Sequence, residues 1–246
     1  MEKLIYLIWD HPPEGSNDWH GAIVGDCAQR LLALDPLGLS INLDDADSNI
    51  PGSTPLPQSE LAVVAQVSIW LHAHDFRAEY EAVLGEYGIR RAGYLVTESS
   101  WTDYGRNEHH PGSRDWPDGV RSPGVSTLTM LERPARLEYE NWLGHWYSHQ
   151  GPMPQWMQPR MRYIRNTVTR GVTAGAPPYA GIIVEGWPSH DHVTDHNLYF
   201  GGGGSDERTR KNIRVMVDSI THMCDMDRIR NFAMSEYLMK TPGWED

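Results

Sequence analysis

One succession of elements occurs twice in this chain, and that repetition limits the fold more than any single motif does. The first round runs strand Leu4–Trp9, helix Asp18–Leu34, strand Gly38–Asp44, strand Val63–Ala73, helix Phe76–Tyr87 and strand Arg91–Thr97. Each is assigned from apolar spacing and from the capping or turn residues at its ends. The second round runs strand Val125–Glu132, a helix after Ala135, strands Arg160–Thr169 and Tyr179–Trp187, helix Asp206–Cys224 and strand Arg230–Leu238. A period of roughly 120 residues is too long for a solenoid and marks a tandem domain.

Each round has the ferredoxin-like order βαββαβ, expected over residues 1–98 and 123–246, with 99–122 as a linker or lid. Strand Val63–Ala73 indicates how the two rounds pack. Val63, Ala65, Val67, Ile69 and Leu71 form an apolar face that belongs under helices, whereas Gln66, Ser68, Trp70, His72 and, just beyond, His74 face the other way. A tryptophan on that polar face argues for a covered cavity. Two open sheets bury most by meeting face to face with their helices outside, so the expected fold is α+β, a pseudo-dimeric α/β barrel with a cavity between the sheets.

Composition narrows the partners. With 21 Lys and Arg against 33 Asp and Glu, the net charge of −12 repels a phosphate backbone, which disfavours nucleic acid. No apolar run approaches the roughly 20 residues of a membrane span, and the first strand has no basic leader before it. Cys27 and Cys224 stand far apart in helical patterns and read as buried thiols, so a soluble, cytoplasmic protein is expected. Ten Trp and eleven Tyr against three Phe fit either a wet core or a pocket that stacks flat ligands.

The helix after Ala135 places Tyr139, Trp142, Leu143 and Trp146 on one stripe, with Asn141, His145 and His149 beside it, and it stops at Gln150-Gly-Pro152. Together with Arg162-Tyr-Ile-Arg-Asn166, Tyr179-Ala-Gly-Ile-Ile-Val-Glu185 and Ser235-Glu-Tyr237, these residues resemble the EthD-like members of the dimeric α/β-barrel superfamily, in tandem form. In the first round the resemblance rests on element order, on Gly38-Leu-Ser-Ile-Asn-Leu-Asp-Asp45 and on Ser68-Ile-Trp70. It implies a barrel that binds hydrophobic, often aromatic or polyketide-like compounds. Relatives include cofactor-free decarboxylases, dehydratases, cyclases and monooxygenases, and haem-handling proteins. The family's His-x-Pro corresponds here to His149-Gln-Gly-Pro152, one residue longer, so either His149 or His145 holds its place.

His149 is a candidate acid or base, while His145 equally reads as a helix-packing residue. Tyr163 and Arg165 share a strand face, where Arg165 would hold a carboxylate and Tyr163 would donate to a phenol or carbonyl oxygen. Arg165 paired with Glu185 on the next strand is the plainer alternative. Trp70, His72, His74, Trp146, Trp187 and Glu98 are expected to line the cavity. His190-x-His192-x3-His196 has metal-ligand spacing, but a polar loop of this kind reads better as a lid. Gly201–Gly204 is not a phosphate loop and serves lid motion or a turn, and no nucleophile elbow or dinucleotide fingerprint occurs.

The residues therefore point to a cofactor-independent lyase, a decarboxylase of a phenolic or aromatic carboxylic acid ahead of a dehydratase or cyclase. A cofactor-free monooxygenase and a non-catalytic aromatic or haem carrier are the alternatives. The partner is a small aromatic molecule, with homodimerisation through remaining edges or apolar helix faces as a further expectation.

Overall fold

The computed structural model describes the chain apart from residues 10–17, 55, 56, 58, 59, 89, 105, 107, 108 and 244–246. In order the elements are β1 (Glu2–Ile8), α1 (Trp19–Ala22, a π turn Ile23–Cys27, then Ala28–Ala33), β2 (Gly38–Leu43), β3 (Ala65–Leu71), α2 (Arg77–Tyr87) and β4 (Arg91–Thr102). They continue with β5 (Val125–Glu132), α3 (Tyr139–His145, prolonged by a π turn Trp146–Gln150), β6 (Arg162–Gly171), β7 (Tyr179–Trp187), α4 (Asp206–Met223) and β8 (Arg230–Lys240). Asp18 caps α1 by accepting from the Gly21 amide, as its position before the apolar run leads one to expect.

The strands close into one antiparallel barrel in the order β1-β3-β2-β8-β5-β7-β6-β4. Both halves have the same internal order, β4-β1-β3-β2 and β8-β5-β7-β6, and they join at the β2–β8 and β4–β6 seams. Closure leaves no sheet edge unpaired. Among the described residues no helix is long and apolar enough to cross a membrane.

The period of two along each strand sorts side chains between two surfaces. On β3, Ala65, Val67, Ile69 and Leu71 pack beneath Ile23 and Leu31 of α1 and Tyr80 and Leu84 of α2. Gln66, Ser68 and Trp70 face into the barrel and are buried. Asn42 donates to Gln66 at 2.6 Å and Gln66 donates to the Ser68 hydroxyl at 2.6 Å, so both ends of the Gln66 amide are satisfied, while Asn42 Oδ1 has no partner among the described residues.

Among the described residues, the middle of the barrel, where a cavity between two sheets is expected, is packed with side chains. Ile5, Leu7, Tyr94, Leu128, Met130, Ile164, Ile182, Val184 and Met234 fill it. At one end the filling becomes ionic. Lys3 pairs with Glu98 at 2.8 Å and lies over the Trp70 ring, while Arg162 pairs with Glu236 and, at 3.2 Å, with Asp103. Residues from the connection after β4 reach this end, where the Tyr104 hydroxyl donates to Glu236 at 3.0 Å and Arg121 donates to Ser235 at 2.8 Å. A cleft of about 880 Å³ opens beside it.

Two stripes differ from expectation. Phe76 is 64% exposed because it lies in a 3-10 turn, His74–Phe76, ahead of α2. On α4 the stripe Ile213, Met216, Val217 and Ile220 is incompletely covered, with Val217 41% exposed. The reason is spatial, since part of this helix stands across a cavity from the sheet.

Candidate functional site

That cavity, about 280 Å³, lies outside the barrel, between the outer face of the second half's sheet and α4. Outward-pointing residues of alternate register form its floor: Thr129 and Leu131 from β5, Tyr163 from β6, Ile183 and Glu185 from β7, and Asn231 from β8. Met216, Val217 and Ile220 of α4 form one wall and Trp146 with Gln150 of α3 another. Pro154, Gln158, Tyr199 and Phe200 also line it. The lining is mainly apolar and aromatic, with a few polar groups, which is how small-molecule sites are built.

An ion pair is buried in this lining. Arg160 donates through Nη1 to Glu185 Oε1 at 2.7 Å, and Arg160 is 3% exposed. The guanidinium also stacks 3.8 Å from the centre of the Tyr163 ring. Thr127 holds the second Glu185 oxygen at 3.3 Å and accepts from the Trp187 indole at 3.0 Å. Trp187 stacks in turn on Tyr199, with ring centres 4.8 Å apart. Burial raises the phenols of Tyr163 and Tyr199, the latter to about 12, so both are protonated donors at neutral pH.

Two single-turn helices, Asp191–Thr194 and His196–Tyr199, bring Tyr199 over the cavity, and the glycine run returns the chain to α4. Gly201 has φ of +61°, and a Cβ there would stand 2.0 Å from the Met157 carbonyl oxygen. The run therefore builds a tight turn against its neighbour.

The residues singled out in the sequence fall into separate places. Tyr163, Glu185 and Trp146 converge on the cavity, with Trp187 behind Tyr199. Arg165 is buried between the rings of Tyr147, at 3.9 Å, and Trp101, at 4.8 Å. Its expected alternative partner, Glu185, is taken by Arg160. Trp70 and Glu98 lie at the barrel end, joined by an indole hydrogen bond of 3.0 Å. Burial opposes ionisation of Glu98, but the Lys3 ammonium beside it holds its carboxyl below the usual range.

His74 is tied to Glu2 at 2.7 Å and His72 is exposed. His145 and His149 stack on each other in an open surface groove between α3 and α4 with His222 and Trp156, away from the cavity. His145 contacts the Ser219 carbonyl at 3.1 Å. Burial and the neighbouring His222 lower its pKa.

His190 donates to the Asp47 carbonyl at 2.6 Å and His192 contacts the Ser189 hydroxyl at 2.8 Å. Among the described residues no group of three or more His, Cys, Asp or Glu is placed to hold a metal ion. Arg160, Gln158, Tyr199, Phe200 and the α4 wall were not singled out in the sequence. Arg160 precedes β6, where no strand alternation can assign its direction.

No protein-family model matches the chain, and no curated protein matches it in sequence. Solved structures do resemble it. An anthrone oxidase-like protein aligns with a TM-score of 0.55 at 10% identity, over 96% of this chain and 90% of that one. A candidate monooxygenase of Fusobacterium nucleatum aligns with a TM-score of 0.51 at 10% identity, over 99% of this chain and 95% of that one. At such identities the likeness is one of architecture: this chain shares the overall fold of those two structures, its own barrel closed by eight antiparallel strands with helices outside.

Proposed function

We propose that this chain is a cofactor-independent enzyme acting on a small, electron-rich ring compound in the cavity beneath α4, with oxygenation ahead of decarboxylation. The observation that carries this reading is the Arg160–Glu185 pair buried in an otherwise apolar and aromatic cavity wall. Such a pair contributes little net stability against well-packed apolar residues, so its presence in a ligand-sized cavity favours a chemical role. A volume of about 280 Å³ suits a molecule of one or two rings.

Glu185 is the group proposed to take a proton from a phenolic or enolisable substrate, and the Tyr163 and Tyr199 hydroxyls would donate to the resulting oxyanion. The substrate anion then supplies the electrons for dioxygen. For a ring methylene, one oxygen atom becomes the new carbonyl and the other leaves as water with the two methylene hydrogens. The names of the anthrone oxidase-like protein and the candidate monooxygenase agree with this chemistry. Decarboxylation of an aromatic acid is the second reading, since Arg160 in the wall could bring such an acid into the cavity. The same proposal reads the two halves as ferredoxin-like repeats of EthD-like type, residues 1–98 and 123–246 with 99–122 between them.

Purified protein incubated aerobically with 1-naphthol and with hydroxynaphthoic acids separates these readings. Oxygenation consumes dioxygen and yields a quinone, and Glu185→Gln abolishes it. Loss of carbon dioxide without oxygen uptake transfers the site to a lyase. Binding with return of unaltered ligand makes the protein a carrier.

A further inference from the structure

Resting on the reading of the α4 cavity as a ring-binding site, we propose that its substrate carries a carboxylate held by Arg160 as a permanent handle. The Arg160 side chain is 3% exposed, and among the described residues neither its Nε nor its Nη2 has a hydrogen-bond partner. Those two nitrogens share one edge of the planar guanidinium. Their N–H bonds run parallel at a spacing that matches the two oxygens of a carboxylate side-on. Glu185 occupies Nη1, so the protein's own carboxylate leaves this edge unused.

Buried cationic donors left without acceptors are costly, and native structures keep them for a reason. Tyr163 offsets part of the cost through the guanidinium face, 3.8 Å away, but a π face cannot accept from the edge. Arg165 supplies a contrast inside the same half. It is equally buried and its Nε and Nη1 likewise lack partners, but it lies against two rings, Tyr147 and Trp101, and does not line the cavity. Arg160 does line the cavity, and it has one ring, one carboxylate and one buried edge without a partner.

The handle also bears on the chemistry. A carboxylate gripped by two charge-assisted hydrogen bonds is stabilised as an anion, which opposes its departure as neutral carbon dioxide. An anchored acid whose ring reacts elsewhere fits the Arg160 geometry better than decarboxylation does.

The test uses three probes of similar ring size, hydroxynaphthoate, its methyl ester and naphthol, titrated calorimetrically into the full-length protein. The acid is expected to bind more tightly than the ester or naphthol by about tenfold or more, the worth of a bidentate charged contact. Arg160→Lys keeps a positive charge opposite Glu185 but lacks the planar fork, so it should fold and lose most of that preference. Met216→Trp, which fills the cavity from α4, should weaken all three probes. Equal affinity for acid and ester, or an acid preference that survives Arg160→Lys, overturns the handle while the ring site stands provided Met216→Trp still weakens binding. If no probe binds, or Met216→Trp changes nothing, the ring-site reading falls together with the handle.

Discussion

At the scale of single residues, burial decides what each charge means. Arg160 and Glu185 depend on one another, because removing either leaves an uncompensated charge in an apolar wall. Glu185→Gln is expected to lower unfolding free energy by about 3–5 kcal/mol. Arg160→Met combined with Glu185→Leu should cost less than either single change, and urea unfolding of the four proteins in the cycle measures this. His145 gives a pH dependence of defined sign. Its folded pKa lies below the ordinary imidazole value, so the unfolded chain binds its proton first as pH falls. The histidine's contribution is fully present above about pH 6.5 and is lost as pH falls from there through the lowered folded value. The groups facing it include His149 on its own helix and Ser219 and His222 of α4, and Asp218 lines the same groove. Replacing His145 with Gln should flatten the stability–pH curve across that window; an unchanged slope between about pH 7 and pH 5 would remove the assignment.

At the scale of elements, α3 and β7 meet at a glycine. Trp146 packs onto Gly181, where an added Cβ would stand 2.7 Å from the indole. Gly181→Ala should therefore destabilise the fold by about 1–3 kcal/mol through overpacking. Trp146→Leu in the same chain should restore part of that, measured by thermal unfolding. The helix stripe was readable from spacing alone: Trp142 and Trp146 are both fully buried, although Tyr139 on the same stripe is 41% exposed at the helix start. The π turn that prolongs the helix to Gln150 was not readable, since no local residue pattern requires it. Likewise the β3 alternation identified Ala65, Val67, Ile69 and Leu71 as helix-facing, because a strand's period of two leaves no freedom once one face is covered, but Val63, ahead of the strand, packs with the barrel-interior residues instead.

At the scale of the whole molecule, the barrel interior belongs to both halves. Ile5, Leu7 and Tyr94 from the first pack with Leu128, Ile164, Ile182 and Met234 from the second. A single half would expose that face to water. The chain should therefore unfold in one cooperative transition, with calorimetric and van't Hoff enthalpies in agreement; two resolved transitions would show halves that are stable alone. The ionic end works the same way, since Arg162 of the second half and Lys3 and Glu98 of the first share one network with the segment 99–122.

What the sequence determined by itself was order and parity. Apolar spacing placed the eight strands and the long helices, although the fourth strand runs five residues beyond the expected Thr97, the repeat of that order implied two like sheets, and alternation said which side of the third strand was apolar. These are local properties, set by backbone geometry within a few residues. Which surface carries the cavity was a tertiary decision. Complementary side chains from two sheets fill the space between them, while α4 spans a gap on the far side that its neighbours do not close. For the same reason Tyr163, Glu185 and Trp146 meet and His149 does not join them: direction relative to a distant helix depends on how whole layers pack, and no local period encodes it.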